Sequence, residues 1–341
     1  MSTNAPKTGA VAPTSRQGIT VKRGRVAAPI RALIYGPEGV GKTSLGIDAP
    51  DNVLIDVEGG SLHLDAARYE FRPGEPNGFV PKTYAEITTA LERLCSEEHG
   101  FKSVTIDTLD RIESMLWAHI VERDRAKKRG GSDLESIEDY GYGKGYTFAL
   151  DEWRAFVERL DRLHSRRAMT IILIGHTAVR TWKNPEGEDF DRYVLRVHDK
   201  AAGFLKEWAD VVGFFNFETF AEAETDKRGK RVGRPKGFAS GRRVLRVERT
   251  AAFDAKARVP LPATIEVAED HPWAPFAAAI LEGQTATPDQ IVASIKTECE
   301  RIGDPELTER VRVAVSAKPA PDVVTLQRYL NSLRGRPAVG A

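Results

Sequence analysis

The residues Gly36-Pro37-Glu38-Gly39-Val40-Gly41-Lys42-Thr43 fill every fixed position of the phosphate-cradling spelling G-x-x-x-x-G-K-[ST]. They follow the apolar run Ala32-Leu33-Ile34-Tyr35, which reads as a buried strand, and precede Ser44-Leu45-Gly46-Ile47, which reads as a first helical turn. That order supplies the chemistry. Glycines let the backbone wrap an anion without Cβ clashes, and the amides of the loop and helix start point at it. Gly36 to Ser44 would hold the phosphates of a nucleotide such as ATP, Lys42 would reach the β- and γ-phosphates, and Thr43 would help complete a Mg²⁺ shell. A plain glycine-rich turn, the bland alternative, leaves Lys42-Thr43 unexplained.

Such a loop needs a second acid near the metal, at the end of a strand expected beside the loop's own strand. Asp107, where Ser103-Val104-Thr105-Ile106 ends, is the candidate. Its bland reading is a cap for the helix that starts at Thr108. Hydrolysis also needs a group to orient or deprotonate water. Asp56 and Glu58 follow the run Asn52-Val53-Leu54-Ile55, at the carboxyl edge where α/β sheets place ligands. Two residues apart on extended chain, they point the same way, so either could face a γ-phosphate.

The elements that must position these residues alternate. Strand-like runs at 32–35, 52–57, 103–107 and 169–174 are separated by helical patterns at Thr83–Ser96, after Asp107, and at Phe148–His164. This is the signature of a mostly parallel α/β sheet. A loop from about 125 to 145 breaks the pattern. Asp210–Phe215 and Arg243–Val247 read as strands bracketing a basic hairpin, Lys227–Arg243, with eight cations and no acid. That hairpin is either a solvated tip or a handle for phosphate backbones. Three units are expected: a disordered basic arm at 1–28 with Lys7, Arg16, Lys22, Arg23 and Arg25, a catalytic core at 29–283, and a small helical region at 284–335. The last opens with the cap-and-proline signal Thr287-Pro288-Asp289.

Composition sets outer limits. With 341 residues, 41% hydrophobic and 29% charged, the chain can bury a large core without staples. Its net charge of +1 gives no whole-molecule argument for nucleic acid. Cys95 and Cys299 fit no metal or redox spacing, no apolar run approaches membrane-spanning length, and the N-terminus lacks the apolar core of a signal peptide. A cytoplasmic setting without membrane contact is expected.

The loop spelled G-P-E-x-x-G-K-T, followed by Leu54-Ile55-Asp56-Val57-Glu58 and by Asp107-Thr108, resembles the RecA family. That resemblance implies a RecA-like P-loop NTPase core, Mg²⁺-dependent ATP hydrolysis, and Glu58 as the general base. It places His176, in Ile171-Ile172-Leu173-Ile174-Gly175-His176-Thr177, where the family senses γ-phosphate, usually with Gln. Lys256-Ala257-Arg258 resembles the element through which family members contact a neighbour's ATP, which implies a homo-oligomeric ring or filament. A narrower likeness is to phage nucleotide-binding proteins, including RecA-like single-strand annealing recombinases. They carry a segment like Ile137–Tyr146 before a helix with a tryptophan, as in Asp151-Glu152-Trp153.

By that likeness, the first DNA-binding loop would hold Tyr140, Tyr142, Lys144 and Tyr146, and the second would run from Arg180 through Trp182 and Lys183 to Arg192. Cations beside aromatic faces suit single-stranded DNA. The bland reading is that the tyrosines pack on their own domain, that Trp182 buries itself, and that Asp139, Glu186, Glu188, Asp189 and Asp191 dilute the charge. The chain has no separate N-terminal polymerisation domain of the family's kind, which favours annealing or a helper role over full strand exchange. Two rivals stand beside the recombinase reading: a motor or loader acting on protein partners, and a low-turnover assembly switch. A small-molecule kinase fits less well, for want of an Arg-rich lid.

Overall fold

A computed structural model describes residues 14–16, 19–21, 26–127, 134–185, 187–222, 236–317, 321–334 and 336–339. Most of the basic arm, Glu186 and the central part of the basic hairpin lie outside the described residues. Within the arm expected to be disordered, β1 (Thr14–Arg16) and β2 (Ile19–Val21) pair antiparallel.

The first buried strand, β3 (Arg31–Gly36), runs straight into the glycine loop and α1 (Lys42–Ile47). Then follow β4 (Asn52–Asp56), α2 (Tyr84–Ser96), β5 (Ser103–Asp107) and α3 (Leu109–Ala126). A 3-10 turn (Ile137–Tyr140) leads into α4 (Lys144–Arg167). The strand β6 (Thr170–Trp182) is long and folds back as β7 (Phe190–Leu195) before α5 (Asp199–Trp208). After β8 (Val211–Glu222), β9 (Lys236–Arg246), β10 (Lys256–Ala257) and β11 (Thr264–Val267), the chain ends in α6 (Trp273–Thr285), α7 (Pro288–Ile302), α8 (Pro305–Val315) and α9 (Val323–Arg334).

The central sheet has the order β11-β9-β8-β3-β6-β5-β4. From β8 to β4 all neighbours are parallel, and β9 and β11 add antiparallel strands at one edge. Side chains alternate across it with period two. Leu33 and Tyr35 of β3, Val104 and Ile106 of β5, and Ile171 and Leu173 of β6 face one core with α2, α3, α4 and α5. Ala32, Ile34, Ile172 and Ile174 face the other, with α1 and α6. Helices thus cover both faces, which is why these strands read as continuous apolar runs. This is the RecA-like P-loop NTPase fold: a mostly parallel sheet with the phosphate loop leaving its central strand.

Local signals set several boundaries. Thr83 caps α2 by accepting from the Glu86 amide, and Thr287 and Gln290 form a reciprocal capping box on α7, with Pro288 in the first turn. Helices α7 and α9 share a separate apolar cluster of Ile291, Ile295, Cys299, Ile302, Leu326, Leu330 and Leu333. Among the described residues no helix is long and apolar enough to cross a membrane.

Candidate nucleotide site

The site forms where β3, β4 and β5 end beside His176, midway along β6. Gly36 closes β3 beside His176 of β6 and close under β8: a Cβ there would lie 1.9 Å from the Phe215 carbonyl oxygen. Only glycine lets the loop leave the sheet at that point. Gly41, at φ 94°, turns the backbone into α1, a conformation that excludes most side chains. The loop borders a cleft of about 330 Å³ lined by Glu38, Lys42, Thr43, Asp56, Glu58, Asp107 and His176.

Lys42 is buried, and its Nζ donates to the carbonyls of Gly36 at 3.0 Å and Pro37 at 2.7 Å. Burial lowers its pKa, while Asp107, Asp110, Glu38 and Glu58 pull the other way. The Thr43 hydroxyl donates to Asp107 Oδ2 at 2.6 Å. Asp107 itself is not the helix cap: Thr108 occupies that position. Burial pushes the Asp107 carboxyl up from 3.8 to about 6, against the pull of the Thr43 hydrogen bond. A buried carboxylate beside a hydroxyl is a hard-oxygen donor set, and it fits Mg²⁺ held together with a triphosphate.

One expectation needs correction. The strand of Asp107 is not beside the loop's strand; β6 pairs with both β3 and β5 and lies between them. The reach is still short because Thr43 comes from the start of α1, which sits over the strand ends.

The pair at the end of β4 is also resolved. Asp56 is buried and accepts from the amides of Gly59 (2.7 Å) and Ser61 (3.0 Å) and from the Ser61 hydroxyl (2.5 Å), so it organises the turn. Glu58 is exposed on the cleft, and its Oε1 accepts from the Thr108 hydroxyl at 2.6 Å. Of the two acids, Glu58 is the one placed to meet water.

His176 Nδ1 lies 3.2 Å from both oxygens of Asp110, in the first turn of α3, and 3.7 Å from Glu58 Oε1. Arg196 completes the cluster, with Nη2 2.9 Å from Asp110 Oδ2 and Nη1 3.4 Å from Glu38 Oε1. Burial opposes ionisation of Asp110, but hydrogen bonds from His176 and Arg196 outweigh it and hold the carboxyl well below its usual range. Sequence reasoning missed Asp110, Arg196 and the Thr108–Glu58 bond. Asp110 carried a faint signal, three residues past Asp107; Arg196 carried none. Arg243 was missed as well. Its Nη1 lies 2.8 Å from where a Cβ on Gly41 would be.

Lys256 and Arg258 lie elsewhere. Lys256 pairs with Val212 and Ala257 with Val211, at the edge of the sheet where β3 begins. Through β8, Lys256 is level with Leu33 and Ala257 with Ala32, three and four residues of strand before Gly36, about 10–13 Å. Lys256 Nζ donates to the carbonyls of Lys206 and Glu207, and Arg258 to the Glu207 carbonyl and Asp210. Both cations thereby close the C-terminal end of α5, a favourable place for positive charge. Neither touches the phosphate loop of its own chain.

The aromatic segment is more structured than the expected loop. Tyr140 ends the 3-10 turn, donates to Asp124 at 2.9 Å and meets Phe148 edge-on. Tyr146, in the first turn of α4, stacks on His198 at 4.1 Å and donates to Glu138. Tyr142 alone of the three is fully exposed, beside exposed Lys144. The second segment is the β6–β7 hairpin rather than a loop. On it Arg180 pairs with Asp199 and Lys183 with Asp189. Trp182 is not buried; it stays half exposed with the Arg192 guanidinium 5.2 Å over its ring.

None of the curated proteins matches the sequence. Among solved structures, the RadB recombinase superposes with a TM-score of 0.31 at 14% identity, over 65% of this chain and 82% of that one, a likeness too loose to carry an argument. The AAA-domain family model matches residues 28–259, from just before β3 through the Lys256–Arg258 segment and well over half of the chain. The chain belongs to the AAA-domain family.

Proposed function

We propose that the chain is a Mg²⁺-dependent ATPase that works on single-stranded DNA in annealing or recombination, in the cytoplasm of a cell or of a phage-infected host. The observation that carries the hydrolytic part is one constellation: Thr43 on Asp107, and Glu58 held by Thr108 at the same cleft. When bound, Mg²⁺-ATP supplies the polarised terminal phosphoryl group. Lys42 and the loop amides bind the phosphates, Thr43 and Asp107 hold the metal, Glu58 takes the proton from water, and His176 reports on the γ-phosphate. Lys256 and Arg258 serve a neighbouring copy, since they cannot reach their own loop.

The DNA part rests on Tyr142 and Lys144 at the start of α4 and on the exposed Trp182 of the hairpin. Hydrolysis measured with and without single-stranded DNA tests it. Stimulation by DNA that falls at least severalfold in Tyr142→Ala, with unchanged DNA-free turnover, supports the reading; base stacking contributes about 1–3 kcal/mol per base. A rate indifferent to DNA sinks it. One observation favours a second reading, a loader acting on a protein partner: the expected DNA-binding cations Arg180 and Lys183 are already paired with the chain's own acids.

A further inference from the structure

Arg196 stands between the end of β7 and the start of α5, tied down from several sides. Its amide donates to the His176 carbonyl at 2.9 Å, so its backbone is fixed to the residue of β6 that lines the cleft. Its guanidinium touches Asp110 at 2.9 Å, lies 3.1 Å from His176 Nδ1, and reaches Glu38 of the phosphate loop at 3.4 Å. Asp110, Glu38 and Glu58 all act on Arg196, and the same three, with Asp107, act on Lys42. Two cations therefore share one set of carboxylates, at the end of the cleft that Glu58 and His176 mark as the terminal-phosphate end. The Arg196–Glu38 contact is largely exposed, with side chains 46% and 74% accessible. An exposed carboxylate contact is weak beside the two-pronged bond of a guanidinium to phosphate.

We propose that Arg196 is a catalytic residue of its own chain's nucleotide site. On the reading that the cleft hydrolyses ATP, its guanidinium exchanges Glu38 for the terminal phosphoryl oxygens, while Asp110 and the His176 carbonyl keep it in place. The water oxygen bonds to the γ-phosphorus as the bond from that phosphorus to the β–γ bridging oxygen breaks. The electron pair leaves on ADP, and Glu58 takes the water proton. Charge on the transferred group is met by a cation that is already in position. Lys256 and Arg258, at the opposite edge of the sheet, cannot do this within one chain.

The test compares the full chain with Arg196→Ala, Arg196→Lys and Lys42→Ala, measuring turnover and the affinities of fluorescent ATP and ADP analogues. Arg196→Ala is expected to lower turnover by about ten- to a thousandfold and to erase the preference for ATP over ADP, leaving ADP affinity unchanged. Arg196→Lys is expected to restore part of the turnover, since it keeps charge and loses the fork. Mixing Arg196→Ala with Lys42→Ala chains is expected to restore nothing, because each nucleotide needs the arginine of its own chain. Rescue on mixing overturns the proposal, as does wild-type turnover and preference in Arg196→Ala. If that variant fails to fold, wild-type values in Arg196→Lys overturn it instead. A full chain that binds nucleotide without hydrolysing it leaves the ATP-over-ADP preference as the readout. A full chain that binds neither nucleotide overturns the parent reading and this proposal together.

Discussion

On the proposed reading, burial of Asp107 links metal binding to pH. Its carboxyl titrates near 6 in the folded chain against an ordinary 3.8, so between those values the folded chain holds a proton that the unfolded chain has released. Stability from this group therefore falls as pH rises through that window, since ionising a carboxyl away from water is unfavourable. Cation binding runs the opposite way, because the metal needs the ionised form. Mg²⁺-dependent affinity for nucleotide is expected to be steady above about pH 7 and to weaken by up to tenfold per unit below about pH 6. Titration of nucleotide binding at fixed Mg²⁺ across pH 5–8 checks this. Affinity that stays flat to pH 5 removes Asp107 from the metal shell. Glu113, buried in α3 and accepting from the His198 amide at 2.9 and 3.0 Å, is pushed up to about 7 by its burial and sits outside the cleft. Its titration belongs to stability rather than to nucleotide binding.

At the scale of elements, the caps are the most local determinants and respond most simply. Thr287→Ala removes the capping box of α7 and is expected to cost about 1 kcal/mol. Cys299 is buried in that helix and Cys95 lies in α2, so thiol labelling separates local from global loosening. Cys299 should react about fivefold faster in the variant, with Cys95 unchanged; equal acceleration of both would show that α7 has no separate stability. The same locality explains what the sequence made legible. The glycine loop, the Thr83 and Thr287 caps and the apolar runs of β3 to β6 are written in residues that neighbour each other along the chain. Strand order is not. The insertion of β6 between β3 and β5 is a long-range choice, so the side-by-side expectation for Asp107 failed, although Asp107 still meets Thr43 through α1. Arg196 and Asp110 meet across 86 residues and could only be found in three dimensions. Tyr140 of the 3-10 turn and Tyr146 of α4 were readable as aromatic but not as occupied, because Asp124 of α3 and His198, just before α5, reach them only through the fold.

Across the whole molecule, the two ends of the sheet do different work. The carboxyl edge gathers the phosphate loop, Asp107, Glu58, His176 and Arg196; the opposite edge carries Lys256 and Arg258 on the end of α5. On the proposed reading, Lys256 and Arg258 act when this lower edge meets a neighbouring copy's upper edge. The proposed hydrolysis depends on Glu58 being the group that activates water. Glu58→Gln keeps an acceptor oxygen for Thr108 and removes the base. The decisive measurement is Mg²⁺-ATP binding and single-turnover hydrolysis by that variant beside the full chain. Binding retained with hydrolysis reduced by about 10²–10⁴ is the predicted result; hydrolysis undiminished in Glu58→Gln would contradict it.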